Sequence, residues 1–192
     1  MNENMAFLCD QTTIDQVARL MQESEPEALD ALADAMANHP HDARLLLMRG
    51  SIYASQGRSS EAHTDLSRAI ILDPSLSTAR FLLGYLELIS GKAGDAVAIW
   101  QPLAAYSPDT VLGLFAGGMV DLVQGRAESA LELFTRGLQG ESQATALTPF
   151  IQSMIPKIES ILAENGQADR SNLEVDAGHF LLADYLANRT QH

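Results

Sequence analysis

The side chains best suited to chemistry in this chain are few and scattered. His39-Pro40-His41 offers two imidazoles to a metal ion, but no cysteine or other strong ligand lies beside them. The proline between them marks a junction of helices, so no metal site is expected there. Cys9 is the lone thiol, and without a cationic cluster beside it to lower its pKa it reads as a small apolar contact or a disordered thiol. His63, His179 and His192 read as solvated or packed side chains. The run Gly113-Leu114-Phe115-Ala116-Gly117-Gly118 has the glycine content of a phosphate loop. No lysine follows where such a loop needs one, and the segment reads as helix continuing to Val123. Catalysis requires dissimilar polar groups converging in a pocket. No such constellation is legible, so the expectation is a binding protein and not an enzyme, with no catalytic residue, no cofactor and no metal.

What the residues must be positioned by is clearer. The chain of 192 residues is 46% apolar, enough for one domain or a short solenoid with a buried core. Aromatic residues make up only 6%, while Ala and Leu abound, which favours helices that meet through small contacts over sheets of β-branched residues. The net charge of −13 repels a phosphate backbone, so nucleic acid is not an expected partner. That charge is uneven. Residues 1–42 hold nine acids (Glu3, Asp10, Asp15, Glu23, Glu25, Glu27, Asp30, Asp34, Asp42) and one base, Arg19, a net of −8, which leaves −5 for the other residues. Such an excess is either a solvated face that aids solubility or a dock for a basic partner. The segment Met5-Ala6-Phe7-Leu8-Cys9 is too short for a secretory signal, and no stretch approaches the roughly 20 apolar residues of a membrane span. The expected compartment is the cytoplasm, with no membrane partner.

A shift of 34 residues aligns the chain with itself. Gly50, Gly84 and Gly118 fall in register, as do Gly57, Gly91 and Gly125, each of the latter followed by a base (Arg58, Lys92, Arg126). Ala28, Ala62, Ala96 and Ala130 align, then Leu32, Leu66, Trp100 and Phe134, then Pro40, Pro74 and Pro108. A fixed period of this size signals a helical repeat array. The first glycine lies mid-helix, where it costs about 1 kcal/mol against Ala, so its recurrence predicts close approach by a neighbouring helix. The second sits where a left-handed residue ends one helix and reverses the chain. The alanine is the small contact of the second helix, the bulky residue four positions on shares its face, and proline stops the pair. This reading places helices near 11–22, 26–38, 42–56, 59–72, 76–90, 93–106, 109–124 and 127–139, with another opened by Thr148-Pro149 and ending near Asn165-Gly166. A last amphipathic segment runs from Leu173 to about 189. Pro102 predicts a local kink in the second helix of its unit.

These features resemble the tetratricopeptide repeat family, most closely over 43–76 through Arg49-Gly50, Tyr53, Gly57, Ala62, Leu66, Ala69 and Ile71-Leu72-Asp73-Pro74. The resemblance extends over 43–108 and more loosely over 110–142, where Ser142 replaces the closing proline and Gly137 the late alanine. Residues 9–41 match only in their second helix, a degenerate terminal repeat. Glu87 and Asp121 stand where the family prefers a bulky residue such as Tyr53. The fold implied is all-α, a right-handed superhelical α-solenoid of helix pairs with a C-terminal helical extension. The chain then reads as one domain, with 9–41 degenerate, 43–142 three units, 144–165 a capping helix and 173–189 a C-terminal helix.

In that family the first helices line a concave binding face. The matching positions include Arg44, Leu47, Ser51, Ala54 and Ser55 in one unit, and Thr78, Phe81, Tyr85, Leu88 and Ile89 in the next. The third supplies Leu112, Phe115, Met119, Leu122 and Val123. The partner-binding groove expected is thus Leu47, Phe81, Tyr85, Leu88, Ile89, Leu112, Phe115, Met119, Leu122 and Val123, and it is apolar. The Lys, Arg and Asn set with which some family members grip acidic chaperone tails is missing. The expected partner is therefore an apolar protein or peptide segment, held by an adaptor or chaperone-like protein. In outline the chain is similar to the class II chaperones of type III secretion, which bind hydrophobic translocator segments. The alternative is a structural assembly subunit whose groove is filled by its own C-terminal helix or by a homodimer partner.

Overall fold

The computed structural model describes residues 8–106, 109–140 and 147–165. Among these residues every regular element is an α-helix: α1 (Gln11–Glu23), α2 (Glu25–Asn38), α3 (Ala43–Ser55), α4 (Ser59–Leu72), α5 (Ser77–Ile89), α6 (Ala93–Tyr106), α7 (Val111–Val123), α8 (Ala127–Gln139) and α9 (Thr148–Asn165). The helix boundaries lie within two residues of those expected from the repeat. The C-terminal segment expected over 173–189 lies outside the described residues.

Local chemistry sets the ends of the helices. Asp10 caps α1 by accepting from the Thr13 amide at 3.0 Å, Asp42 caps α3 through the Arg44 amide, and Thr110 caps α7 through the Gly113 amide. The first helix of three successive pairs ends on a left-handed glycine, Gly57 (φ 69), Gly91 (φ 80) and Gly125 (φ 75). At each, the glycine amide bonds back three residues and the following amide five, as in Gly57 to Ala54 (3.0 Å) and Arg58 to Tyr53 (2.8 Å). This is the Schellman closure, which satisfies two orphan carbonyls while reversing the chain. Pro102 lies inside α6 and Pro156 inside α9, where each lacks the amide that would bond one turn back.

The residues divide into two compact units within α5, between Leu86 and Glu87. In the first unit α1 packs on α2, α2 on α3 and α3 on α4, and α1 also meets α3. Val17, Ala28, Leu32, Leu45 and Ile52 form one cluster there, all but inaccessible to solvent. In the second, α6 packs on α7, α7 on α8 and α8 on α9. The repeat register is the core register: Ala28, Ala62, Ala96 and Ala130 are fully buried, and so are Leu32, Leu66, Trp100 and Phe134.

The mid-helix glycines are where helices touch. A Cβ on Gly50 of α3 would lie 3.1 Å from Leu66 Cγ of α4, and one on Gly118 of α7 would lie 2.6 Å from Cδ1 of the Phe134 ring of α8. Both contacts span 16 residues, so each glycine is matched to the bulky residue of the facing helix.

Candidate interaction surface

Three charged or aromatic pairs stand at the turns that reverse the chain, and the sequence reading did not join them. Closure of a Schellman turn folds the residue after the glycine back over the residue five positions earlier, where an apolar contact is usual. In the first pair Arg58 stacks over the Tyr53 ring at 4.0 Å. In the second Lys92 Nζ lies 3.0 Å from Glu87 Oε2, and in the third Arg126 pairs with Asp121, which also accepts from the Ser129 hydroxyl. The acids at 87 and 121 thus take the place of the tyrosine because the base five residues on neutralises them. The signal was the recurrence of a base after every break glycine with an acid or aromatic five positions before it.

On α3, Arg49 donates to both oxygens of Asp65 at 2.7 and 2.8 Å, and Asp65 is buried. The hydrogen bonds from Arg49 to that carboxylate raise the pKa of its own guanidinium. Arg58 donates to exposed Glu61 at 3.0 Å and holds the Glu61 carboxyl below its ordinary range.

At the start of the chain Arg44 and Asp42 form a strap. Asp42 accepts from the Cys9 amide at 2.9 Å, and Arg44 donates to the Cys9 carbonyl at 2.6 Å and to Asp42 at 2.7 Å. Burial by itself would raise the Asp42 carboxyl, but the bonds from Arg44 and from the Cys9 and Arg44 amides outweigh it, and its pKa falls below 3.8. Cys9 is buried, and burial pushes its thiol pKa up, which disfavours the nucleophilic thiolate. Arg44, placed by the sequence on the inner face, is thus engaged in the strap.

The ten residues expected to form the groove separate by burial. Phe81, Leu88, Phe115, Met119 and Leu122 are buried, whereas Leu47, Tyr85, Ile89, Leu112 and Val123 are half-buried. Phe115 turns onto α8, where it meets the Phe134 ring edge-on with centroids 6.5 Å apart. Its ring also occupies the space above Gly137, whose Cβ would lie 2.6 Å from Phe115 Cε1. At this position the Phe115 ring leaves no room for the methyl of the repeat's late alanine.

Elsewhere the candidate chemistry is dispersed. His39 is half-buried, while His41 and His63 are exposed. Among the described residues no three His, Cys, Asp or Glu side chains gather with metal-binding spacing. The run from Gly113 to Gly118 lies within α7, so its amides are spent on the Thr110 cap and on helix. No helix among the described residues is long and apolar enough to cross a membrane.

The tetratricopeptide repeat family model matches residues 25–77 and 53–108. No curated protein matches the chain in sequence. Among solved structures, one titled "MamA RS-1 ArsTM double mutant" is 17% identical, with 94% of this chain and 96% of that chain covered and a TM-score of 0.58. MamA 41-end from Desulfovibrio magneticus RS-1 is 15% identical over the same shares, with a TM-score of 0.56. At these identities the likeness is one of fold.

Proposed function

We propose, for a chain that carries tetratricopeptide repeats over residues 25–108, that the protein is an adaptor or chaperone-like binder of an apolar segment of a partner protein. It acts by holding that segment on the apolar face of a first helix and catalyses no reaction. Repeats of this kind present extended binding surfaces. The observation that carries the reading is the set of apolar residues on first helices that packing leaves half-buried: Leu47 on α3, Tyr85 and Ile89 on α5, and Leu112 and Val123 on α7. Tyr85 and Ile89 are four apart, and Leu112 and Val123 are eleven apart, about three turns, so each pair shares one face of its helix. Aromatic and aliphatic side chains so placed suit an apolar helix or extended peptide as ligand. The compartment proposed is the cytoplasm, in keeping with a single cysteine that is buried and free.

The test compares partners captured from the native cell by the wild-type protein and by Leu112→Ser/Val123→Ser, with melting temperatures measured in parallel. Loss of specific partners at nearly unchanged stability is the expected result. A variant that melts as the wild type does and recovers every partner would sink the reading. A second reading, an assembly subunit whose inner face is filled, draws support from the burial of Phe81, Leu88, Met119 and Leu122. It requires the same double variant to lose stability.

A further inference from the structure

Between α1 and α2 the first unit has an open cleft of about 420 Å³. Its floor is apolar and small, with Val17 and Ala35 buried and Ala31 half-buried. Its rim carries the exposed carboxylates of Asp10 and Asp34. No lysine or arginine lines it among the described residues, and His39 is the one lining side chain able to take a positive charge. Asp10 is fixed in place, since its oxygens accept from the Thr13 amide at 3.0 Å and the Thr13 hydroxyl at 2.8 Å. Those bonds, the amide's foremost, hold its pKa below the ordinary value and keep it charged.

We propose that this cleft receives a lysine or arginine side chain from a basic segment of a partner protein. The methylenes of such a side chain cover the floor formed by Val17, Ala31 and Ala35 while its cationic head meets Asp34 and Asp10. A protein segment is favoured over a free amine because the acidity extends well past the cleft. Of the nine acids that residues 1–42 carry against one base, Asp42 is buried and spent on Arg44, and the other eight leave a net of −7; a field of that extent draws a run of cations while the cleft sets their register. This site lies apart from the first-helix residues of the proposed apolar groove and does not rest on that reading.

The experiment titrates the full-length protein into a fluorescein-labelled oligoarginine peptide and follows anisotropy at low and physiological salt. Asp34→Asn and Asp15→Asn remove the same charge, but Asp15 does not line the cleft and accepts instead from Gln11 at 2.8 Å. Asp34→Asn should weaken binding by about five-fold or more, and Asp15→Asn by less than about two-fold. Ala31→Leu leaves the charge intact and fills the cleft, and it too should weaken binding, provided its melting temperature shows that it folds. If Ala31→Leu does not fold, the two aspartate variants decide. Absence of saturable binding by the wild type, equal losses for Asp34→Asn and Asp15→Asn, or full affinity in a folded Ala31→Leu variant would each overturn the proposal.

Discussion

The pairs α3–α4 and α7–α8 occupy one frame, 68 residues apart, yet they fill it with different chemistry. Half-buried Arg49 and buried Asp65 form a bidentate ion pair in the first, whereas the equivalent positions in the second are Gly117 and Leu133, with Leu133 Cδ1 3.3 Å from where a Cβ on Gly117 would stand. Gly50 faces Leu66 and Gly118 faces the ring of Phe134, both fully buried, but a Cβ would stand 3.1 Å from Leu66 Cγ in the first and 2.6 Å from Phe134 Cδ1 in the second. Asp42 caps α3 with a carboxylate that also straps the chain at Cys9, but Thr110 caps α7 with a hydroxyl that accepts from the Gly113 amide. The repeat therefore specifies distances between helices, and each pair meets them by its own means. In α3–α4 a polar bridge bonds atom to atom, while α7–α8 relies on closeness of fit. The second arrangement tolerates less change in volume, and the first less change in charge.

The largest expected effect breaks that comparison at the glycines. Gly118→Ala should cost about 2–3 kcal/mol, because the added methyl overlaps a ring that has no room to retreat, in spite of the better helix propensity of alanine. Gly50→Ala should change stability by less than about 1 kcal/mol, since its methyl would stand 3.1 Å from Leu66 Cγ and 3.3 Å from Asp65 Cβ, an overlap of only a few tenths of an ångström. Denaturant melts of the two variants measure the difference, and equal losses would show that closeness of fit does not distinguish the pairs.

A smaller effect is expected at the bridge. Asp65→Ala should destabilise the protein by about 1–2 kcal/mol, less than for a wholly buried pair because the abandoned Arg49 side chain keeps 27% of its exposure and reaches water. The double variant Arg49→Ala/Asp65→Leu approximates the Gly117 and Leu133 solution and should recover most of that loss. Failure to recover any of it in equilibrium unfolding would mean that the polar bridge supplies something an apolar contact cannot.

The caps should differ in their response to acid. Because the folded-state pKa of Asp42 lies below its ordinary value of 3.8, its contribution is fully present above that value and is lost as pH falls through the folded pKa. Asp42→Asn should therefore cost about 1 kcal/mol near neutrality, with the gap to wild type closing below pH 3.8. Thr110→Ala should cost a similar or smaller amount with no acid dependence of its own, since a hydroxyl does not titrate there. Stability measured from neutral pH into acid for both variants checks the contrast, and a constant gap for Asp42→Asn would contradict it.

Sequence alone was enough to read the helices, their ends and the positions that must be small. The reason is local. Left-handed glycines, capping side chains and prolines act on their own backbone, and a 34-residue recurrence of small and large residues repeats the helix contact. The matching of Gly50 to Leu66 and of Gly118 to Phe134 was implicit in that recurrence. The partners of polar groups were not legible in the same way, because Arg44 reaching Cys9 and Arg49 reaching Asp65 depend on how far and in which direction a long side chain extends across a helix pair. Tertiary structure also decided which first-helix residues remain at the surface. Phe115 and Leu112 are both apolar, lie on one helix and are three residues apart, yet one is buried against Phe134 and the other is half-buried. What separates them is the space above Gly137, and a cavity of that kind exists only once two helices have met.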